Sequence, residues 1–188
     1  MAKFLGVLVL CGAVVYGVIG ITNPWAFHIG GRWTPLLYWS GSGNLATEHG
    51  SYPLYISFFP ASHFSHLQLD GLRPTGGLQG SGWLCTAPGV TQYLKLSGTI
   101  YGGWQSTDKS IIAFRVLEPK VLDVGQRRGY FDLYGRWQGP QLIMNDRGRY
   151  SSTFRSGLKI ENASVTLNWT SYSDFKAECA RTKKSGID

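Results

Sequence analysis

The chain has 188 residues, a formal net charge of +7 and an isoelectric point of about 9.4. Aromatic residues make up 14% of it, charged residues make up only 15%, and there are 25 glycines. This composition excludes a disordered tail and is typical of a folded domain rich in β structure.

The first predicted element is an apolar helix. Residues 4–21 carry no charge, and this length fits the roughly 17–25 residues that cross a bilayer better than the about 7–15 of a signal peptide. Asn23-Pro24 should end the helix, because proline disfavours a helical residue before it. Residues 1–22 are therefore predicted to anchor the chain as a single-pass transmembrane helix, with the rest of the protein extracytoplasmic.

Cleavage of the same segment is the alternative. Val18-Ile19-Gly20 places small residues loosely where a signal peptidase would cut. The mature domain would then be secreted or periplasmic.

A linker and aromatic-rich entry segment is predicted at 23–50, followed by one antiparallel β domain at 51–188. This domain is predicted to be mainly β, a sandwich or a barrel-like fold, because short alternating segments are separated by turn residues. The predicted inward positions are Leu54, Ile56, Phe58, Leu67, Leu69, Leu94, Leu96, Gly98, Ile100, Ile112, Phe114, Val116, Phe131, Leu133, Trp137, Val165, Leu167 and Trp169.

Two glycine-flanked serine segments, 40–44 and 80–83, are predicted to be flexible turns. Neither has the strand-to-helix context of a nucleophile elbow, so neither indicates hydrolase chemistry. The tail following residue 172 is predicted to form a short helix with Ser173 as its N-cap, since serine favours that position.

Cys85 and Cys179 are predicted to form a disulfide. A lone pair of cysteines in an exported domain is typical of a bridge. The alternative is two buried thiols in a cytosolic protein.

The candidate ligand-binding residues lie between 120 and 159, where basic residues outnumber acidic ones. An outward row on one strand combines rings, a carboxylate and a guanidinium, a pattern typical of glycan recognition and also of ordinary cross-strand pairing. The arginines in the adjoining turns could contact anionic lipid or glycan, or form a solvated rim. The candidates are Tyr130, Asp132, Tyr134, Arg136, Arg127, Arg128, Arg147 and Arg149.

Metal chemistry is the competing hypothesis. His63, His66 and Asp70 are close in sequence, with His-x-x-His spacing, but strand residues three apart point to opposite faces. A metal shared by both histidines would require a turn or bulge, and no HExxH motif supports it. These residues define the alternative of a metal-dependent hydrolase, with Glu48 and His49 nearby in sequence.

The predicted function is a non-catalytic binding or structural role at the cell envelope, without a cofactor. The predicted partners are a membrane, through residues 4–21, and an anionic lipid or glycan. Nucleic acid is not predicted, because the compartment is unsuitable and no recognised binding motif is present.

Overall fold

The computed structural model describes residues 2–22, 38–60, 76–101, 111–119, 129–146, 152–154 and 156–182. In chain order its elements are α1 (Ala2–Thr22), β1 (Trp39–Thr47), β2 (Gly50–Pro60), β3 (Gly76–Ala87), β4 (Val90–Tyr101), β5 (Ile111–Leu117), β6 (Tyr130–Gln138), β7 (Gln141–Asn145), β8 (Ser152–Thr153), β9 (Lys159–Ile160), β10 (Ser164–Trp169) and α2 (Tyr172–Arg181).

Eight of the strands form a closed antiparallel barrel. Strands β1 to β7 pair in sequence order, and β10 closes the barrel by pairing with β7 on one side and β1 on the other. The mainly β prediction is confirmed, and of its two forms the barrel is correct and the sandwich is wrong. Closure pairs every strand on both sides and so removes free edges.

The barrel has two ends with different connections. The entry end is defined here as the end where β1 begins at Trp39, and it also contains the last residues of β2, β4, β6 and β10. The far end is the opposite one, with short turns at 48–49 and 88–89. Residues 23–37, 61–75 and 102–110 connect to the barrel at its entry end.

Side chains fill the interior, as the alternating sequence pattern predicts. At the entry end Trp39 stacks on Phe58, with ring centroids 5.2 Å apart, and Phe58 contacts Phe114 at 4.6 Å. The predicted inward residues that the structure finds buried are Leu54, Ile56, Phe58, Leu94, Leu96, Ile112, Phe114, Val116, Phe131, Leu133, Trp137, Val165 and Leu167. Gly98 is half-buried. Leu67, Leu69 and the side chain of Ile100 lie outside the described part of the structure.

Trp169 does not follow that pattern. It was predicted to point inward with Val165 and Leu167, but its side chain is 53% exposed. It is the last residue of β10, and so it lies at the rim of the entry end, where alternation no longer guarantees burial.

The predicted turns at 40–44 and 80–83 are also wrong, because both segments are strand. Gly43 and Gly80 share the inward face of β1 and β3 with buried leucines. A Cβ on Gly43 would lie 2.0 Å from the carbonyl oxygen of Thr166, and one on Gly80 would lie 2.1 Å from that of Ser57. Glycine is required here because neighbouring backbones approach closely, as at tight bends of barrels.

The barrel also begins earlier than the predicted boundary at residue 51. Strand β1 lies within the segment 23–50 that was predicted to be a linker. Its Trp39 and Leu45 are fully buried. The serines and glycines between them conceal the alternation that would have marked a strand.

A small hairpin covers the far end. β8 pairs with β9, and Phe154 between them is buried against Phe131, with ring centroids 5.8 Å apart. The hairpin is joined to β6 by a hydrogen bond from the backbone N–H of Tyr130 to the hydroxyl of Ser152, 3.1 Å long. This end of the core is thereby shielded from water.

Helix α2 packs on the outside of the barrel. Its N-cap is Ser171, whose hydroxyl accepts a 3.2 Å hydrogen bond from the N–H of Asp174. The predicted cap, Ser173, is wrong, since it already lies in the first turn. Phe175 and Cys179, four residues apart, form the buried face of the helix.

Helix α1 ends at Thr22, immediately before Asn23-Pro24, as predicted. Its apolar side chains are largely exposed; Val9 and Leu10, for example, are each 66% exposed. Among the described residues, no helix meets the combined requirement of length and apolarity for a membrane span. Anchoring of residues 1–22 in a membrane stays a prediction.

Candidate functional site

The outward row on β6 is present as predicted. Tyr130, Asp132 and Tyr134 are half-buried on the outer wall, while Phe131 and Leu133 between them are buried inside. Arg136 continues the row and is exposed. The strand therefore presents rings, a carboxylate and a guanidinium on one surface.

The centre of this surface is an ion pair that the sequence did not reveal. Arg115 on β5 lies opposite Asp132 in the strand register. Its Nε donates to Oδ1 at 2.9 Å, and a terminal nitrogen donates to Oδ2 at 3.1 Å. Such a bidentate pair fixes the planes of both groups.

The aromatic neighbour of this pair adds a second contact. The Cζ of Arg115 lies 5.3 Å from the ring centroid of Tyr130, within cation–π range. Hydrogen bonding to Asp132 raises the pKa of Arg115 above its ordinary value, against a smaller opposing effect of burial. The guanidinium therefore stays charged, and it is held in one orientation.

Two open depressions meet beside this pair and form what is called here the wall groove. The larger has a volume of about 480 Å³ and the smaller of about 220 Å³, and Ser97 lines both. The polar residues along the wall groove are Ser57, Gln79, Ser81, Lys95, Ser97, Thr99, Arg115 and Asp132.

Strand register explains why these residues form one surface. On the outer wall Gln79 lies opposite Ser97, and Ser97 lies opposite Arg115. With Phe59 opposite Gln79 and Asp132 opposite Arg115, one row crosses β2 to β6. Four strand spacings of about 4.8 Å make this row roughly 19 Å long.

Aromatic rings flank the polar row. Phe59 is 48% exposed and Tyr93 is 42% exposed, and both line the larger depression. Tyr134 lines the smaller one. The wall groove thus combines hydroxyl, amide and charged groups with ring faces, over a surface too open to enclose a small molecule.

The wall groove lacks the paired carboxylates of glycoside hydrolysis. Among the described residues that line it, Asp132 is the single acidic one, and it is bonded to Arg115. Glycosidases generally need a second carboxyl group across the scissile bond.

The predicted cysteine pair is confirmed. Cys85 on β3 is bonded to Cys179 on α2, and both are almost fully buried. The bridge lies among aromatic side chains that fix α2 on the wall: Tyr55 contacts Phe175 at 5.6 Å, and Trp83 contacts Tyr172 at 4.7 Å.

The remaining predicted site residues lie outside the described part of the chain. They are Arg127, Arg128, Arg147, Arg149, His63, His66 and Asp70. Arg115, in contrast, is described and central, yet sequence analysis did not select it. Its outward parity could be read from the alternation of β5, but its partner strand could not.

A separate polar group lies at the far end. Glu48, His49 and Glu161 have ligand atoms within 4.8 Å of one another. The ammonium of Lys159 lies 2.9 Å from Glu161, and the amide of Asn162 donates to Glu48. Because protein groups already satisfy both carboxylates, we assign no metal to this group.

Comparison with known proteins gave no match to a family model, a curated protein or a solved structure. The class is therefore defined by the structure itself: an eight-stranded antiparallel barrel with a polar groove on its outer wall.

Proposed function

We propose that this protein is a non-catalytic binding domain, anchored to a membrane by α1, whose wall groove binds an acidic glycan of the cell envelope. The observation that carries the proposal is the Arg115–Asp132 pair beside Tyr130. Its atoms are held in place before any ligand arrives, which reduces the entropy lost on binding.

The groove's composition supports a sugar ligand. The serine and threonine hydroxyls both donate and accept hydrogen bonds, and the amide of Gln79 does the same, so they can match the hydroxyls of a saccharide. Tyr134 and Tyr93 offer rigid amphipathic ring faces at low cost in conformational entropy. The exposed Lys95 supplies a charge for a carboxylate or phosphate substituent.

The anchor rests on the character of α1. The helix is apolar on every side and its side chains are exposed rather than packed into the barrel core. Exposed apolar surface of this extent calls for a membrane or another apolar partner. Alkaline extraction of native membranes tests the anchor: the full-length chain should stay in the pellet, and its release would contradict it.

Anionic lipid is the alternative ligand class, and binding experiments must distinguish it from glycan. The four arginines at 127, 128, 147 and 149 would attract lipid headgroups at about 1 kcal/mol each near the surface. Replacing all four with glutamine should remove most of the preference for vesicles that contain phosphatidylglycerol over vesicles of phosphatidylcholine alone, because α1 would insert into both. Because lipid attraction is electrostatic, it should also weaken with salt.

The decisive experiment uses the full-length chain in detergent and polygalacturonate as the acidic glycan probe. Tyr134→Ala should weaken polygalacturonate binding severalfold while leaving the preference for phosphatidylglycerol vesicles nearly unchanged. Tyr38→Ala is the matched control for polysaccharide binding, because Tyr38 is 51% exposed but does not line the groove. The proposal fails if the parent does not bind the polysaccharide at low salt, or if Tyr134→Ala binds like the parent.

A further inference from the structure

Three exposed aromatic side chains lie together at the entry end and define what is called here the aromatic rim. They are Tyr38, Phe59 and Trp169, at 51%, 48% and 53% exposure. Phe59 follows Phe58, the register partner of Trp39, and Trp169 is the partner of Gly41. All three therefore lie around the start of β1.

The far end differs in chemistry. The turn at 48–49 presents the exposed Glu48 and His49, and Lys159 and Glu161 form an ion pair beside it. Val90, the first residue of β4, is also exposed at this end, and Tyr93 lies three residues further along the strand. Within the described residues, the three exposed rings of the entry end therefore contrast with the charged turn and ion pair of the far end.

The chain itself connects the aromatic rim to the apolar helix. α1 ends at Thr22, and the chain reaches the barrel at Tyr38, within the rim. Tyr and Trp concentrate where a membrane meets water, because a ring can enter the headgroup layer while its polar group stays hydrated. The rim is therefore on the side of the barrel that a membrane-inserted α1 would bring towards the bilayer.

We propose that the aromatic rim rests in the headgroup layer and seats the barrel on the membrane by its entry end. This inference rests on the proposed anchoring by α1, and it adds an orientation that anchoring alone does not give. The tether of residues 23–37 could otherwise leave the barrel free, because 15 extended residues can reach about 50 Å.

Seating also determines which ligands the wall groove can meet. Ser97, at the middle of the groove, is four residues from the end of β4 at Tyr101. At about 3.4 Å per residue, the middle of the groove is at most roughly 14 Å from the entry end. A saccharide at the bilayer surface would therefore lie within reach of the groove in the seated barrel.

Site-directed spin labelling of the full-length chain in lipid vesicles tests the seating. The chain carries Cys11→Ser, and a nitroxide is placed at Phe59→Cys or Trp169→Cys. Val90→Cys is the control, because Val90 is 55% exposed at the far end. All three positions are exposed, so labelling should not disturb the core.

The rim labels should collide severalfold less with a water-soluble nickel chelate, and more with oxygen, than the Val90 label. Equal nickel access at all three positions, in a chain that resists alkaline extraction, would overturn the seating and leave the anchor intact. Release of the chain by alkali would overturn the anchor and the seating together.

Discussion

Cys85 at the end of β3 and Cys179 in the last turns of α2 are joined by a disulfide, with their Cα atoms 5.7 Å apart and 94 residues between them in sequence. The bridge ties the carboxyl-terminal helix to the barrel wall. The backbone N–H of Gly89 also donates to the carbonyl of Cys179 at 3.1 Å, so the same contact orders the β3–β4 turn.

Replacing both cysteines with serine should lower the free energy of unfolding by about 4–5 kcal/mol in the chain-entropy account of a loop this long. Urea unfolding of the parent and the variant measures the difference. Cys11→Ser is the control, because Cys11 is an exposed free thiol in α1 and should not affect the barrel. Alkylation of the unreduced, native protein at Cys85 or Cys179 would contradict the bridge.

Gly135→Ala should destabilise the barrel. A Cβ at this position would lie 1.9 Å from the carbonyl oxygen of Ile143 and 2.7 Å from the Cα of Met144, so backbone must move. Overpacking of this kind costs about 1–3 kcal/mol or more.

Gly139→Ala is the comparison for that variant. Gly139 lies in the β6–β7 turn at φ 58°, and no atom lies within 4 Å of the position that a Cβ would take, so the cost is conformational strain alone, about 1 kcal/mol. Thermal melts of both variants should show the larger fall for Gly135→Ala. Equal falls would mean that β6 and β7 do not approach as closely as described.

Deprotonation of Lys159 should cause a small loss of the barrel's stability at alkaline pH. Its hydrogen bond to Glu161 raises the pKa of Lys159 above its ordinary value in the folded state. When the pKa of a lysine is higher in the folded than in the unfolded state, its contribution to stability is complete at pH values below the unfolded-state pKa. That contribution is lost as the pH rises through the folded-state pKa. Unfolding midpoints should therefore show no loss from this pair between pH 7 and about 9, and a loss above about 10.5.

Lys159→Met isolates that effect, because it removes the titrating ammonium but retains an aliphatic chain. The parent should lose more stability than this variant as the pH is raised above 10.5. Because the lysine is exposed, the difference will be small. Parallel pH profiles for the two proteins would show that the pair contributes nothing measurable.

Sequence patterns predict features that depend on neighbouring residues of one strand. They do not predict features that depend on residues far apart in the chain. Alternation within one strand correctly predicts that Leu54, Ile56 and Phe58 face inward, because that depends only on the backbone of β2. Barrel closure depends on β10 meeting β1 across more than a hundred residues, which no local pattern records. The strand patterns are consequently compatible with both a sandwich and a barrel.

The wrong turn predictions at 40–44 and 80–83 also arise from contacts between strands that are distant in sequence. Gly43 and Gly80 were interpreted as turn residues because glycine permits turns. In the barrel they are needed where a carbonyl of the neighbouring strand leaves no room for a Cβ. The wall groove shows the same difference. Asp132 was selected from the alternation within β6, whereas its pairing with Arg115 depends on the register between β5 and β6.

The Arg115–Asp132 pair should contribute little to stability and much more to binding. The Arg115 side chain is 52% exposed and that of Asp132 is 22% exposed, so water screens their attraction. Exposed pairs typically contribute about 0.2–1 kcal/mol to stability. Asp132→Asn should therefore lower the free energy of unfolding by less than about 1 kcal/mol, while removing the carboxylate that orients the guanidinium.

Binding of polygalacturonate should respond much more strongly than stability does. Asp132→Asn, Arg115→Gln and the double variant form a double-mutant cycle, measured by urea unfolding and by polysaccharide binding. If the pair acts as one preorganised unit, each single variant should weaken binding severalfold and the double variant should be little worse than either. Lys176→Gln, on the exposed side of α2, is the control for a lost positive charge. Additive losses in binding, or losses no larger than that of the control, would show that Arg115 and Asp132 act only as an ordinary cross-strand pair.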